Sequence, residues 1–155
     1  MLAAALLALP VAAAGCKGVG GLGTPPKPLP DVAVLQHAIS AEQLMVARYR
    51  AVLAAAPSLA RSLNPLLTEH EAHLARLKSR LVPGAATAKP PSQPRPKPPP
   101  SASAAVGYLT DAEHAAATSL ISRIDVVSPS LAQLLASIAA SEATHAAALA
   151  GHGGT

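Results

Sequence analysis

Glu142 and His145 are the first residues able to do chemistry, because a carboxylate and an imidazole stand three apart in the otherwise aliphatic run from Leu131 to Leu149. Steps of four and three give Leu131, Leu135, Ile138, Glu142, His145 and Leu149. That is one stripe of an amphipathic helix, so both polar groups are predicted to point inward. An inward carboxylate is costly unless it is paired or bound to a cation. The spacing recurs in Leu35, Ile39, Glu42, Val46, Tyr49 and Leu53, and in Leu59, Leu63, Leu66, His70, His73 and Leu77. A fourth stripe runs Val106, Thr110, Glu113, Ala117, Leu120, Ile124 and Val127. Inward Glu and His on four helices, at one level, are the ligand set of a metal site inside a four-helix bundle.

Two tight turns set that level. Ala56-Pro57-Ser58 and Ser128-Pro129-Ser130 are short, so the helices on either side of each must return antiparallel. Helix 1 is predicted from an N-cap at Asp31 to about Ala56, and helix 2 from about Ser58 to Leu81. Pro65 either kinks helix 2 or marks its true start. Helix 3 should begin near Ser101 or Ser103 and reach about Val127, with Gly107 a weak point, and helix 4 should stop before Gly151-His152-Gly153-Gly154. Glu42 lies 15 residues before Pro57 (57 − 42), with His70 and His73 13 and 16 after it. Glu113 lies 16 before Pro129 (129 − 113), with Glu142 and His145 again 13 and 16 after. At about 1.5 Å of rise per residue, these offsets let all six side chains converge.

An internal repeat links the halves. Pro57-Ser58-Leu59-Ala60 returns as Pro129-Ser130-Leu131-Ala132, an offset of 72 (129 − 57), which also carries His73 and Leu77 onto His145 and Leu149. Ala41-Glu42 maps onto Ala112-Glu113 with an offset of 71 (112 − 41).

Composition agrees with one small all-α domain. A chain of 155 residues, half of them apolar, has no Phe or Trp and only Tyr49 and Tyr108 as aromatics. Its core must therefore be built of Ala, Leu, Val and Ile, and no alternating β-branched strand pattern is present. The net charge of +4 draws on Lys89, Arg95 and Lys97 in a proline-rich linker, with no basic stripe interleaved with aromatics, which excludes a nucleic-acid surface. Cys16 is the single cysteine, so no internal disulfide can form. No nucleophile triad or Gly-rich phosphate loop is found, and whether the protein is an enzyme stays open.

Residues 1–16, MLAAALLALPVAAAGC, resemble a secretory signal ending in a bacterial lipoprotein box, with Ala13, Ala14 and Gly15 before Cys16. Ala13 stands where Leu is more usual, and no Lys or Arg precedes the apolar run, so a basic segment upstream of Met1 is expected. The run is too short for a transmembrane helix. The resemblance implies cleavage before Cys16, lipidation of that cysteine with palmitate among the acyl groups, and a domain tethered to the outer face of a cell membrane. The other reading is an uncleaved apolar N-terminus with an ordinary cysteine, in a soluble cytoplasmic protein. Residues 17–30 would be a Gly/Pro tether, 31–82 one helical hairpin, 83–101 a Pro-rich crossover and 102–150 a second hairpin, with 31–150 forming one domain.

One Glu on the first helix, an ExxH pair on the second, one Glu on the third and an ExxH pair on the fourth resemble the ferritin-like superfamily, of bacterioferritin and rubrerythrin type. Glu42, Glu113 and Glu142-x-x-His145 match that pattern, and His73 matches the histidine of the second helix. Tyr49, seven residues after Glu42, resembles the tyrosine beside the family's metals. The resemblance implies an antiparallel four-helix bundle with iron held by Glu42, His70, His73, Glu113, Glu142 and His145. The departure is His70, which stands where the family has a bridging Glu. Glu69 and Glu71 flank it about 100° off the seam. Glu69 is expected to support the site from behind, and its i, i+4 spacing lets it pair with His73. A histidine-rich set suits zinc, copper or a single iron better than a di-iron pair. The membrane is the expected partner, and a homodimer is a further option.

Other readings compete. Thr110-x-x-Glu113 is also a capping box for a helix 3 that starts late. His70-Glu71-Ala72-His73 is one residue short of a zinc-protease motif. Glu142 and His145 could pair only with each other, and the whole set could be a Glu/His hydrogen-bond network in a metal-free structural or interaction lipoprotein. His37, His114 and His152 lie off the set and are expected to be solvated. Tyr108 is expected to pack at the start of helix 3.

Overall fold

The computed structural model describes residues 30–81 and 95–152, and among these it is a helical bundle without strands. Its four helices are α1 (Pro30–Ala55), α2 (Ala60–Ser79), α3 (Ala102–Ile121) and α4 (Pro129–His152). Cys16 and the residues before α1 lie outside the described residues, as does 82–94 of the crossover. No described helix is long and apolar enough to cross a membrane.

Local sequence explains most of the helix ends. Pro30 opens α1, where a missing N–H does no harm. Asp31 therefore falls inside the first turn, not at the cap expected for it. Its Oδ1 accepts the Ser128 N–H at 2.9 Å, fastening the start of α1 to the turn before α4. A single 3₁₀ turn, Pro57–Leu59, takes the place of the first residues expected in α2. Pro65 lies inside α2, so the helix does not begin there. Ser101 caps α3, its Oγ accepting the Ala104 N–H at 3.2 Å. That rules out a late start and the capping box, since Thr110 Oγ1 donates to the Val106 carbonyl and Glu113 is buried. Correspondingly α3 ends at Ile121, short of Val127, and a 3₁₀ turn at Ile124–Val126 follows. Helix α4 runs on through His152, past Gly151.

Packing is most extensive between α3 and α4 and between α1 and α2, with α1 also against α3. The core falls into two apolar clusters. One joins Leu35 and Ile39 to Leu77, Leu120, Leu135 and Ile138. The other joins Met45, Tyr49 and Val52 to Leu63, Leu109 and Leu149. On each helix the buried polar residue stands between the members of the two clusters: Glu42 on α1, His70 on α2, Glu113 on α3, and Glu142 with His145 on α4. The buried stripe on α1 is wider than its seam, because Ala38, Met45 and Val52 are also enclosed. Met45 is a core residue that the expectation of an Ala, Leu, Val and Ile interior omits.

Candidate metal centre

Each helix brings its polar residue inward on an apolar stripe, and the five that are buried meet in one dry layer. Exposure is 2% for Glu42, 0% for His70 and Glu113, 2% for Glu142 and 3% for His145. His73 is close behind, with its side chain 12% exposed. His70 sits at the centre. Its Nδ1 is 3.0 Å from Glu42 Oε2 and its Nε2 is 2.8 Å from Glu113 Oε1. The Tyr49 hydroxyl donates to the same Glu113 oxygen, and its ring lies 5.0 Å from that of His70.

The two outer histidines contact the cluster differently. His73 Nδ1 is 3.3 Å from Glu42 Oε1, near enough for charge pairing but not aligned as a hydrogen bond. His145 is held from outside: Glu69 Oε2 lies 3.0 Å from its Nε2, and Ser141 Oγ donates to the same Glu69 oxygen at 3.1 Å. Its Nδ1 is then turned inward, 3.7 Å from Glu113 Oε1. Glu69 thus supports His145 of α4, not His73 on its own helix as expected from the i, i+4 spacing. Its side chain is 54% exposed, and it reaches the site only with its carboxylate.

Electrostatics follow from this geometry. Burial acts to lower His70, but hydrogen bonds to Glu113 and Glu42 outweigh it and hold the ring up at about 9. Its imidazolium can then donate from both nitrogens. Burial would raise Glu113, yet the His145 ring nearby and the hydrogen bonds from His70 and Tyr49 bring it down to about 2. Glu42 is likewise lowered by His70 and His73 against the pull of burial. Glu142 goes the other way. Burial, then the charges of Glu42 and Glu113, push it up to about 9, so it is protonated at neutral pH. Burial and the Glu113 charge raise Tyr49, which keeps its hydroxyl a donor.

Among the described residues six buried side-chain atoms have no hydrogen-bond partner, and five of them belong to the cluster: Glu42 Oε1, His73 Nδ1, Glu113 Oε2, Glu142 Oε2 and His145 Nδ1. Each of these five is a metal-ligand atom type, whereas the sixth, Arg123 Nε, lies away from it beside His37. Buried polar atoms are rarely left unpaired in folded proteins, and a metal ion is among the groups that satisfy them. Glu42, His70 and His73 lie close enough together to hold an ion, and so do His70, Glu113 and His145.

All six expected ligands therefore come to one region, with Tyr49 and Glu69 beside them. The sequence argument missed Ser141, although its position four before His145 puts it on the same face. His37, His114 and Tyr108 fall where expected, whereas the His152 side chain lies outside the described residues. His37 is exposed, against Ser119 and Arg123, and His114 is exposed. Tyr108 is half-buried under the Arg48 guanidinium, 5.7 Å from its ring centre.

Fold and site together define an all-α protein with a buried Glu/His cluster that could hold a metal ion. No protein-family model, curated protein or solved structure matches the chain, so its function has to be argued from the site.

Proposed function

We propose that this chain is a membrane-tethered, extracytoplasmic ferritin-like protein, an antiparallel four-helix bundle that binds a transition-metal ion through Glu42, His70, His73, Glu113, Glu142 and His145. The observation that carries the reading is the set of unpartnered carboxylate and imidazole atoms in one buried layer. The antiparallel arrangement is supported by the short turns between α1 and α2 and between α3 and α4. Glu42, Glu113 and the Glu142/His145 pair would be direct ligands, and Glu69 would fix the tautomer of His145. A bound iron, zinc or copper ion with an open position would supply Lewis-acid chemistry, or oxidation by oxygen or peroxide if the ion is redox-active. Tether and location rest on the lipoprotein-like sequence ending at Cys16.

Elemental analysis of the purified full chain, and its thermal unfolding with and without added iron, zinc and copper, test the site. Stoichiometric uptake with a raised melting temperature is expected. Absence of uptake for all three, with unchanged melting, would sink the metal reading. Incorporation of labelled palmitate, lost in Cys16→Ser, tests the anchor.

A second reading, a metal-free structural or interaction lipoprotein, has one observation in its favour. Both nitrogens of His70 are already satisfied by protein carboxylates. Replacing Glu142 by Leu separates the two, because a scaffold should gain stability from losing a buried carboxyl, whereas a metal protein should lose affinity.

A further inference from the structure

The cluster contains two ligand triads that share one residue. Glu42, His70 and His73 form the first, and His70, Glu113 and His145 the second, with one ligand atom from each residue within 4.8 Å of the others. The shared ring faces them with different atoms, Nδ1 toward Glu42 at 3.0 Å and Nε2 toward Glu113 at 2.8 Å. The other imidazoles flank it, ring centres 5.9 Å away for His73 and 5.1 Å for His145. Each side has its own unpartnered atoms, Glu42 Oε1 and His73 Nδ1 on one, Glu113 Oε2 and His145 Nδ1 on the other. Of the five residues, all but His73 are more than nine-tenths buried.

Building on the metal-binding reading above, we propose that the centre is dinuclear and bridged by His70, with a divalent transition ion at each of its ring nitrogens. Glu42 and His73 complete the Nδ1 side, and Glu113 and His145 the Nε2 side. Glu142 is near enough to Glu42 and Glu113 to feel both charges and can serve either ion. Each incoming ion takes the place of one N–H proton of His70, the ring becomes imidazolate, Glu142 gives up its carboxyl proton, and all three protons leave to solvent. Nothing is oxidised or reduced. Two divalent charges then face four anionic groups, the carboxylates of Glu42, Glu113 and Glu142 and the His70 ring, so the layer is neutral where an uncompensated charge would be most costly. The nitrogen-rich donor set suits copper(II) or zinc. A carboxylate bridge can bring both of its oxygens to one ion, but the two nitrogens of an imidazole point apart. Each ion therefore needs its own histidine, and the structure supplies one on each side.

The test uses the metal-free full chain titrated with copper(II) and, separately, zinc, with ions counted by native mass spectrometry and copper spins by electron paramagnetic resonance. Two ions per chain are expected, with the two-copper form losing most of its low-temperature signal through coupling across the ring. His73→Ala and His145→Ala should each hold one ion, and His70→Ala should regain an uncoupled copper signal. One ion per chain at saturation would overturn the two-ion centre while leaving metal binding intact. No ion would end both readings, and two ions with a full, uncoupled signal would overturn the bridge. If His70→Ala does not fold, the wild-type stoichiometry and spin signal still decide.

Discussion

His70 and Glu142 hold equivalent places in the two halves of the molecule, each 13 residues after its turn proline (70 − 57 and 142 − 129), and the two halves treat them differently. His70 is paired on both ring nitrogens. Glu142 has no basic partner within ion-pair distance among the described residues, and it is kept neutral by burial and by two neighbouring carboxylates. The difference shows how the metal-free layer balances its charge. Were both positions carboxylates, four acids would share a dry space with only His73 and His145 to compensate them. With an imidazolium at one and a protonated acid at the other, Glu42 and Glu113 each gain a cationic partner. In the absence of an ion, His70 does part of what an ion would do, and the fold need not wait for metal.

The sharpest way to break that contrast is to erase it. His70→Glu makes the first half resemble the second and leaves Glu42 and Glu113 without their shared cation. Removing one partner of a buried pair typically costs about 3–5 kcal/mol. Urea unfolding in the presence of a chelator should show a loss of that size, much of it recovered on adding zinc. Wild-type stability in chelator would mean that His70 is not balancing the layer.

Next in size is the response to pH, where His70 and Glu142 act together. Both are held up at about 9 in the folded protein, above their ordinary values. The folded state therefore keeps protons that the unfolded chain releases, and stability falls as pH rises. For Glu142 the loss starts just above the usual carboxylate range, and for His70 above the usual imidazole range; both finish near pH 9. Glu113, lowered to about 2, acts in the opposite sense: its contribution is present above the usual carboxylate range and disappears only as pH falls toward 2. Metal binding requires the deprotonated ligands, so affinity should rise over the same window. Melting temperatures measured from pH 6 to 9 should fall without zinc, and the gap between zinc-loaded and metal-free protein should widen. A gap that stays constant would uncouple these protons from the site.

How far this was legible in the sequence differs by feature. All six seam residues of α4, from Leu131 to Leu149, are buried, because in an Ala-rich helix the few large side chains mark the inner face without competition. The equivalent stripe on α3 misplaced the helix end. Ile124 and Val127 keep the apolar period and are partly buried, yet the backbone has already left the α-helix at Ile121. Periodicity reports which side chains are covered, not which hydrogen bonds the backbone makes. His70 could be read as inward, but not as the residue that joins Glu42 to Glu113, since spacing along one helix carries no distance to its neighbours. The partner of Glu69 was hidden for the same reason: its carboxylate on the rim reaches a histidine on α4, 76 positions away (145 − 69).

Tyr49 sharpens the comparison within the second triad. Its hydroxyl and His70 Nε2 converge on Glu113 Oε1, whereas among the described residues Glu42 is met by the rings of His70 and His73. Tyr49→Phe should therefore destabilise the metal-free protein by about 1.5–3 kcal/mol, the range for a buried hydrogen bond to a charged group. It should also raise the Glu113 pKa while leaving Glu42 alone, which carboxyl chemical shifts followed through an acid titration would register. Equal shifts at both would mean that the two sides of His70 are not independent.

The smallest stability effect is expected at Glu69, and it separates the two outer histidines. Its carboxylate is over half exposed, so Glu69→Gln should change stability by only about 0–1 kcal/mol. Metal affinity should respond far more, because Glu69 occupies His145 Nε2 and thereby leaves Nδ1 to face inward. Loss of such a supporting partner typically weakens binding roughly 10–100-fold. The loss should fall on the side of His145 and spare that of His73, which Glu69 does not hold. In a two-site titration, one affinity should drop and the other should not. A uniform drop would mean that Glu69 acts through the net charge of the rim, and not by fixing which nitrogen His145 presents.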